Sequence, residues 1–237
     1  MANGLTLPCR QNRLLASMKM SDYALMQPYL EEMCLNRGDV LHFPELQIEN
    51  VYFIGSGIVS LIVTVNDGHG IETASIGWEG AVGTIAGFCP LQAFTRAVVQ
   101  VPGIASRISS ARLRVIVRES NAIRDLLTRY HMSFMGHVQQ LAACNQLHDA
   151  VSRLCRLLLL GRDHIGSDTI SITHEGVAEM LGLRRTTVTA AAQTLQAARL
   201  VRLGRGQIEI LDHSGLNEQA CECYAAIRRV TDRAISR

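Results

Sequence analysis

Lysine is almost missing from this sequence: Lys19 is the only one among 23 basic residues, and the rest are arginine. The skew is one of composition and carries no functional reading. Also missing is any run of about 18 apolar residues that could span a bilayer. The segment Met1 to Pro8 has no basic stretch leading into an apolar one, so no membrane is expected and the cytoplasm is the default compartment. HExxH, G-x-S-x-G and a Walker loop are absent and the eight histidines are dispersed, so no enzyme, no catalytic residue and no metal-ligating set is expected. Cysteine is scattered and odd in number, at 9, 34, 89, 144, 155, 221 and 223, in a chain too large to need disulfide staples; these read as free thiols. Only Cys9 and Cys34 lie near the N-terminus, too sparse for an iron-sulfur motif, and haem through an isolated His42, His69 or Cys89 is disfavoured. Cys221-Glu222-Cys223 falls on an expected C-terminal helix from Leu216 to Ile235. Successive helical residues point about 100° apart, so the pair there would be a poor chelate and is read as packing.

What is present is a chain of 237 residues with 48% hydrophobic content, enough for two modest domains. The spacing predicts two short helices between Asn12 and Met33. From Asn36 to about Val117 short β-branched runs take over: Val51 to Ile54, Ile58 to Val65, Ile71 to Ile76 and Ala97 to Val101, with glycines and Asn66-Asp67-Gly68 as turns. This is the texture of an antiparallel barrel or roll. Helical periodicity returns at about Ala111. Ile123, Leu127, Tyr130, Phe134, His137, Leu141, Cys144 and His148 repeat in steps of four and three, a two-stranded seam that predicts a homodimer. The same spacing would serve a helix lying along its own barrel. Asp149 to about Arg162 forms a further helix, and Thr169 to Ile172 a strand.

Residues 173 to 210 carry the functional signal. Thr173 is placed to cap a helix, Ala178 supplies a small residue at a helix crossing, and Gly182 supplies a left-handed turn. Val177, Leu181, Leu183, Val188, Ala191 and Leu195 fall on inward faces. Arg184, Arg185, Thr186, Thr187, Thr189 and Gln193 lie along the outward face and entry turn of the second helix, where they suit phosphate oxygens and base edges, and Thr173 at the start of the first helix is counted with them as a DNA-contacting candidate. Leu200 to Leu203 and Gln207 to Leu211 read as a hairpin, a wing bearing Arg202 and Arg205. Between Met180 and Ile208 there are five arginines and no carboxylate, so the field is locally positive although the chain's net charge is only +2. Duplex DNA is the expected partner.

The order of parts resembles the Crp/Fnr superfamily of bacterial transcription regulators. The resemblance rests on Ile172 to Ala178 with Gly182 to Thr189, and on Gly38 to Leu41, Val51 to Gly57 and Gly80 to Gly83. It implies an α+β fold with three parts: an N-terminal antiparallel β-roll sensor at 12–118, a long dimerisation helix at 119–148 and a C-terminal winged helix-turn-helix at 149–237. The implied interface residues are Ile123, Leu127, Tyr130, Phe134, His137 and Leu141. The implied partners are double-stranded DNA, a second copy of the chain, RNA polymerase and a small-molecule effector.

The chain departs from the family pattern in two places. The base-reading acid and arginine are replaced by Thr186 and Ala190, so the family's usual target does not transfer. In the roll, the ribose-binding acid is replaced by Thr84 and the phosphate-binding arginine is displaced to Arg96. On a strand such a shift reverses the face, so cyclic AMP is disfavoured. Glu79, Gly83, Thr84, Thr95 and Arg96 are left as candidates for another effector. The alternative reading is a low-specificity architectural DNA binder with a degenerate, non-sensing roll.

Overall fold

The computed structural model describes residues 12–64 and 70–235. Cys9, the span from Val65 through Asn66-Asp67-Gly68, and His69 lie outside the described residues. Short apolar runs alternating with turn residues build β1 (Glu31–Leu35), β2 (Val40–His42), β3 (Asn50–Ile54), β4 (Ile58–Thr64), β5 (Gly70–Ile76), β6 (Ala81–Val82), β7 (Arg96–Val101) and β8 (Gly103–Ser109). They form two antiparallel sheets, in the orders β1-β8-β3-β6 and β2-β7-β4-β5. The faces turned toward each other bury Leu35, Tyr52, Ile54, Val59, Ile76, Val82, Ala97, Val99 and Ala105, which is the core of the roll. At the turn after β6, Gly83 has φ +81°, and a Cβ there would stand 3.1 Å from the Asn50 carbonyl oxygen. Glycine is required at that point for backbone reasons alone.

Two helices precede the roll, α1 (Arg13–Ser17) and α2 (Met20–Met26). The second is shorter than the sequence suggests. A single 3-10 turn containing Pro28 ends it, and Glu31 to Leu35 pair with Arg107 to Gly103 as an edge strand instead of continuing to Met33 as helix. The roll is followed by α3 (Ser110–Glu119) and α4 (Asn121–Leu147), separated at Ser120, whose hydroxyl accepts from the Ile123 amide and caps the long helix.

The C-terminal domain comprises α5 (Ala150–Ile165), β9 (Thr169–Ile170), α6 (His174–Leu181), α7 (Arg185–Ala197), β10 (Val201–Gly204), β11 (Gln207–Ile210), α8 (His213–Gln219) and α9 (Cys223–Ile235). Leu154, Leu158, Val177, Leu181, Val188, Leu195, Val201 and Ile208 are buried together at its centre. It is seated on the roll through polar contacts. The Trp78 indole donates to the Asp163 carbonyl oxygen (2.6 Å), and Arg96 lies 3.8 Å from Glu179 on α6. Glu79 and His164 form a buried pair at 2.7 Å. Burial opposes charge on both members and their mutual attraction outweighs it, so the Glu79 carboxyl is held below the usual carboxylate range and the His164 imidazole above its own.

Two expectations are corrected here. The long-helix seam is spent within its own chain: Ile123, Leu127, Tyr130, His137 and Leu141 are buried and Phe134 is half-buried. One flank of α4 lies on the roll and another is covered by α9, which runs back along it antiparallel and brings Val230 against Gly136 and Ile235 into the cluster with Ile123. The expected C-terminal helix is also not continuous. It breaks between α8 and α9 at Ala220, whose backbone is extended (φ −72°, ψ 148°), so Cys221 and Cys223 stand at a corner rather than on one helix.

Candidate nucleic-acid interface and effector cavity

The geometry of α6 and α7 follows from residues at their ends. The Thr173 hydroxyl accepts from the Gly176 amide at 3.1 Å and fixes the start of α6. Gly182 ends it in the left-handed conformation (φ 61°, ψ 39°) with its amide donating to the Ala178 carbonyl oxygen. Val188, Ala191, Ala192 and Leu195 then turn inward. Arg184, Arg185, Thr186, Thr187 and Gln193 are left exposed on the opposite face, and Arg202 and Arg205 are exposed on the wing, where Gly206 (φ +74°) closes the tip beside Arg205.

Folding also adds what the linear stretch lacks. Glu175 lies 3.9 Å from Arg185, and Glu209 lies 2.7 Å from Arg202. Both pairs sit at the surface, where such contacts are worth little and exchange readily for phosphate. Thr189 stands apart from its neighbours: it is half-buried, with its hydroxyl 3.1 Å from His174 Nδ1, and so joins the two helices. Thr173 likewise has its hydroxyl engaged by the cap.

Two positioning residues were not legible beforehand. The Gln196 side-chain oxygen accepts from the Leu203 amide at 2.9 Å and ties α7 to the wing. Buried Arg153 donates to the Leu181 carbonyl oxygen and, at 3.0 Å, to Asn145, which holds the end of α6 against α5. In sequence, Arg153 looks like an ordinary charged residue between the apolar positions of α5.

A cavity of about 470 Å³ opens between the roll and α4. Gly83, Thr84 and Thr95 line it together with Leu61, Val63, Ile76, Phe94 and, from α4, Tyr130, His131, Phe134, Met135 and Val138. Glu79 and Arg96 do not; both are committed to the contact with the C-terminal domain. Among the described residues the lining contains no arginine, lysine or carboxylate. Thr84 is hydrogen-bonded to His131 at 2.9 Å, and burial pushes the imidazoles of His42 and His131 down to about 4, so both are neutral near pH 7. Such a wall suits an apolar ligand with one or two hydrogen-bonding groups and offers nothing to neutralise a phosphate.

Residues 152–219 match the Crp-like helix-turn-helix domain. That match spans α5 to α8 and is a likeness of the C-terminal domain. A transcriptional regulator of the Crp/Fnr family from Eubacterium rectale superposes with a TM-score of 0.67 at 19% identity, covering 87% of this chain and 96% of that one. FixK2 from Bradyrhizobium japonicum gives 0.71 at 15% identity, covering 81% and 98%. The c-di-GMP responsive global regulator CLP of Xanthomonas campestris gives 0.62 at 15% identity, covering 82% and 100%. No curated protein matches the chain. At these identities the superpositions establish the fold alone. Among the described residues no helix is long and apolar enough to cross a membrane.

Proposed function

We propose that this chain is a dimeric, sequence-specific DNA-binding transcription regulator whose roll takes a small, mainly apolar effector. The observation that carries the reading is the exposed row Arg184, Arg185, Thr186, Thr187 and Gln193 on α7, flanked by Arg205 at the wing tip. Arginine at the helix entrance and hydroxyl or amide groups beyond it can hold phosphate and read base edges in a major groove. Two copies would engage half-sites about 34 Å apart.

With the expected seam buried, dimerisation falls to the remaining face of α4. Met132, Met135, Ala142 and Leu147 are exposed there, and Thr128, Met132, Met135, Gln139, Ala142 and Gln146 repeat in steps of four and three. Met135 borders both this face and the cavity. An occupant that prefers one setting of α4 therefore biases how two copies pair and how far apart their α7 helices stand.

The test is selection of duplex DNA from a randomised pool by the purified chain and by Arg185→Ala at fixed salt. Recovery of a two-fold palindrome by the wild type, with the variant's salt dependence shallower by about one unit of slope, supports the reading. Equal retention of random and selected DNA replaces it with the architectural binder, and no retention at low salt removes DNA as the partner.

A further inference from the structure

The break between α8 and α9 brings together two pairs of soft or borderline donors, whose members Cys144 and Cys221 are 77 residues apart in sequence. Cys144 and His148 lie four apart, on the last turn of α4 and at its C-cap, and so share a face. Cys221 and Cys223 flank the corner opposite, and the Cys221 carbonyl accepts from the Tyr224 amide as α9 begins. One donor atom from each of the four lies within 4.8 Å of every other. The Cys144 and Cys221 sulfurs are 3.5 Å apart, and Cys223 Sγ is 3.7 Å from His148 Nδ1. The three cysteines are buried and present as free thiols.

We propose that Cys144, His148, Cys221 and Cys223 form a structural zinc site. A tetrahedral zinc with Zn–S near 2.3 Å and Zn–N near 2.0–2.1 Å requires sulfur–sulfur edges of about 3.8 Å and sulfur–nitrogen edges of about 3.6 Å. The two separations here need shifts of only a few tenths of an ångström to meet those edges. Three thiolates and one imidazole select zinc over the hard cations, and four protein ligands close the site to water. A multi-iron cluster would need its ligand sulfurs on separate irons, whereas these donors converge on one point.

The surroundings complete the arrangement. His148 binds through Nδ1 while its Nε2 lies 3.2 Å from the Glu222 carboxylate, the orienting contact typical of metal-bound imidazole. Gln140 Nε2 donates to Cys223 Sγ at 3.1 Å and would offset part of the negative charge on a thiolate. The metal would staple the corner before α9 to the end of α4. In doing so it fixes the helix that covers the expected seam and leaves the methionine face outward.

The test uses the full chain purified under reducing conditions without added chelator. Elemental analysis is expected to give about one zinc per chain, retained in Cys34→Ser and Cys89→Ser and lost in Cys223→Ser. Because Cys223→Ser could also disturb folding, cobalt is substituted into the wild type after zinc removal. Intense visible d–d bands with a thiolate-to-cobalt charge-transfer band are the expected signature of tetrahedral sulfur-rich ligation. A wild-type protein that takes up neither zinc nor cobalt overturns the proposal. So does stoichiometric iron with sulfide, or zinc that persists undiminished in Cys223→Ser.

Discussion

Glu72 lies on β5, facing α5, buried, with its carboxylate accepting from the Ser60 hydroxyl and facing a space shared with Arg156 and His164. Burial dominates and raises its carboxyl, while Ser60, Arg156 and His164 oppose the rise; the net result is from 4.5 to about 7. An acid whose folded value exceeds its unfolded value binds more protons folded than unfolded between the two. Stability is therefore lost as pH climbs from about 4.5 to about 7 and is level above that. The shift of about 2.5 units corresponds to roughly 3 kcal/mol at 1.36 kcal/mol per unit. Glu72→Gln keeps an acceptor for Ser60 and removes the titration. Urea unfolding of both proteins across pH 4.5 to 8 should show the variant gaining on the wild type by roughly 3 kcal/mol through that window and by no more above it. The Glu79–His164 pair is the same in both proteins and largely cancels from the difference. Parallel stability curves, or an advantage that grows as pH falls, would refute the reasoning.

Met132→Glu places a charge on the exposed face of α4 without touching the cavity, so it should convert dimer to monomer in sedimentation while the far-ultraviolet circular dichroism is unchanged; an intact dimer would sink the assignment of that face. At Gly182 a Cβ meets only ordinary contacts with Ile71 at 3.6 Å, so Gly182→Ala should cost only the left-handed backbone strain, about 1–2 kcal/mol in denaturant unfolding. A loss several times larger would mean that the site is sterically closed.

Most of the helix-turn-helix was legible because its determinants are local. Thr173 caps within one turn, Gly182 reverses the chain within one residue, and the 3.6-residue period separates Val188 and Leu195 from Arg185 and Gln193. The strands at 51–54, 58–64, 71–76 and 97–101 were legible for the same kind of reason, through β-branched runs between glycines. The edge strand β1 was not, because Glu31 to Leu35 has no β signal of its own and is strand only because β8 offers it a ladder.

Periodicity along α4 established that a helix forms and that one stripe is apolar. It could not say which neighbour takes the stripe, because a second copy, the roll and α9 all present similar apolar surfaces. Only the fold decided that the roll and α9 cover it and leave Met132 and Met135 outside. Likewise the sequence supplied five candidates for the effector. The tertiary structure divided them, sending Gly83, Thr84 and Thr95 to the cavity and turning Glu79 and Arg96 to the C-terminal domain. The cysteines make the same point at longer range: one extended residue at 220 changes a poor helical pair into half of a four-donor cluster. What depends on a few neighbouring residues is written in the chain, and what depends on which surfaces compete for the same partner is settled only when all of them are packed.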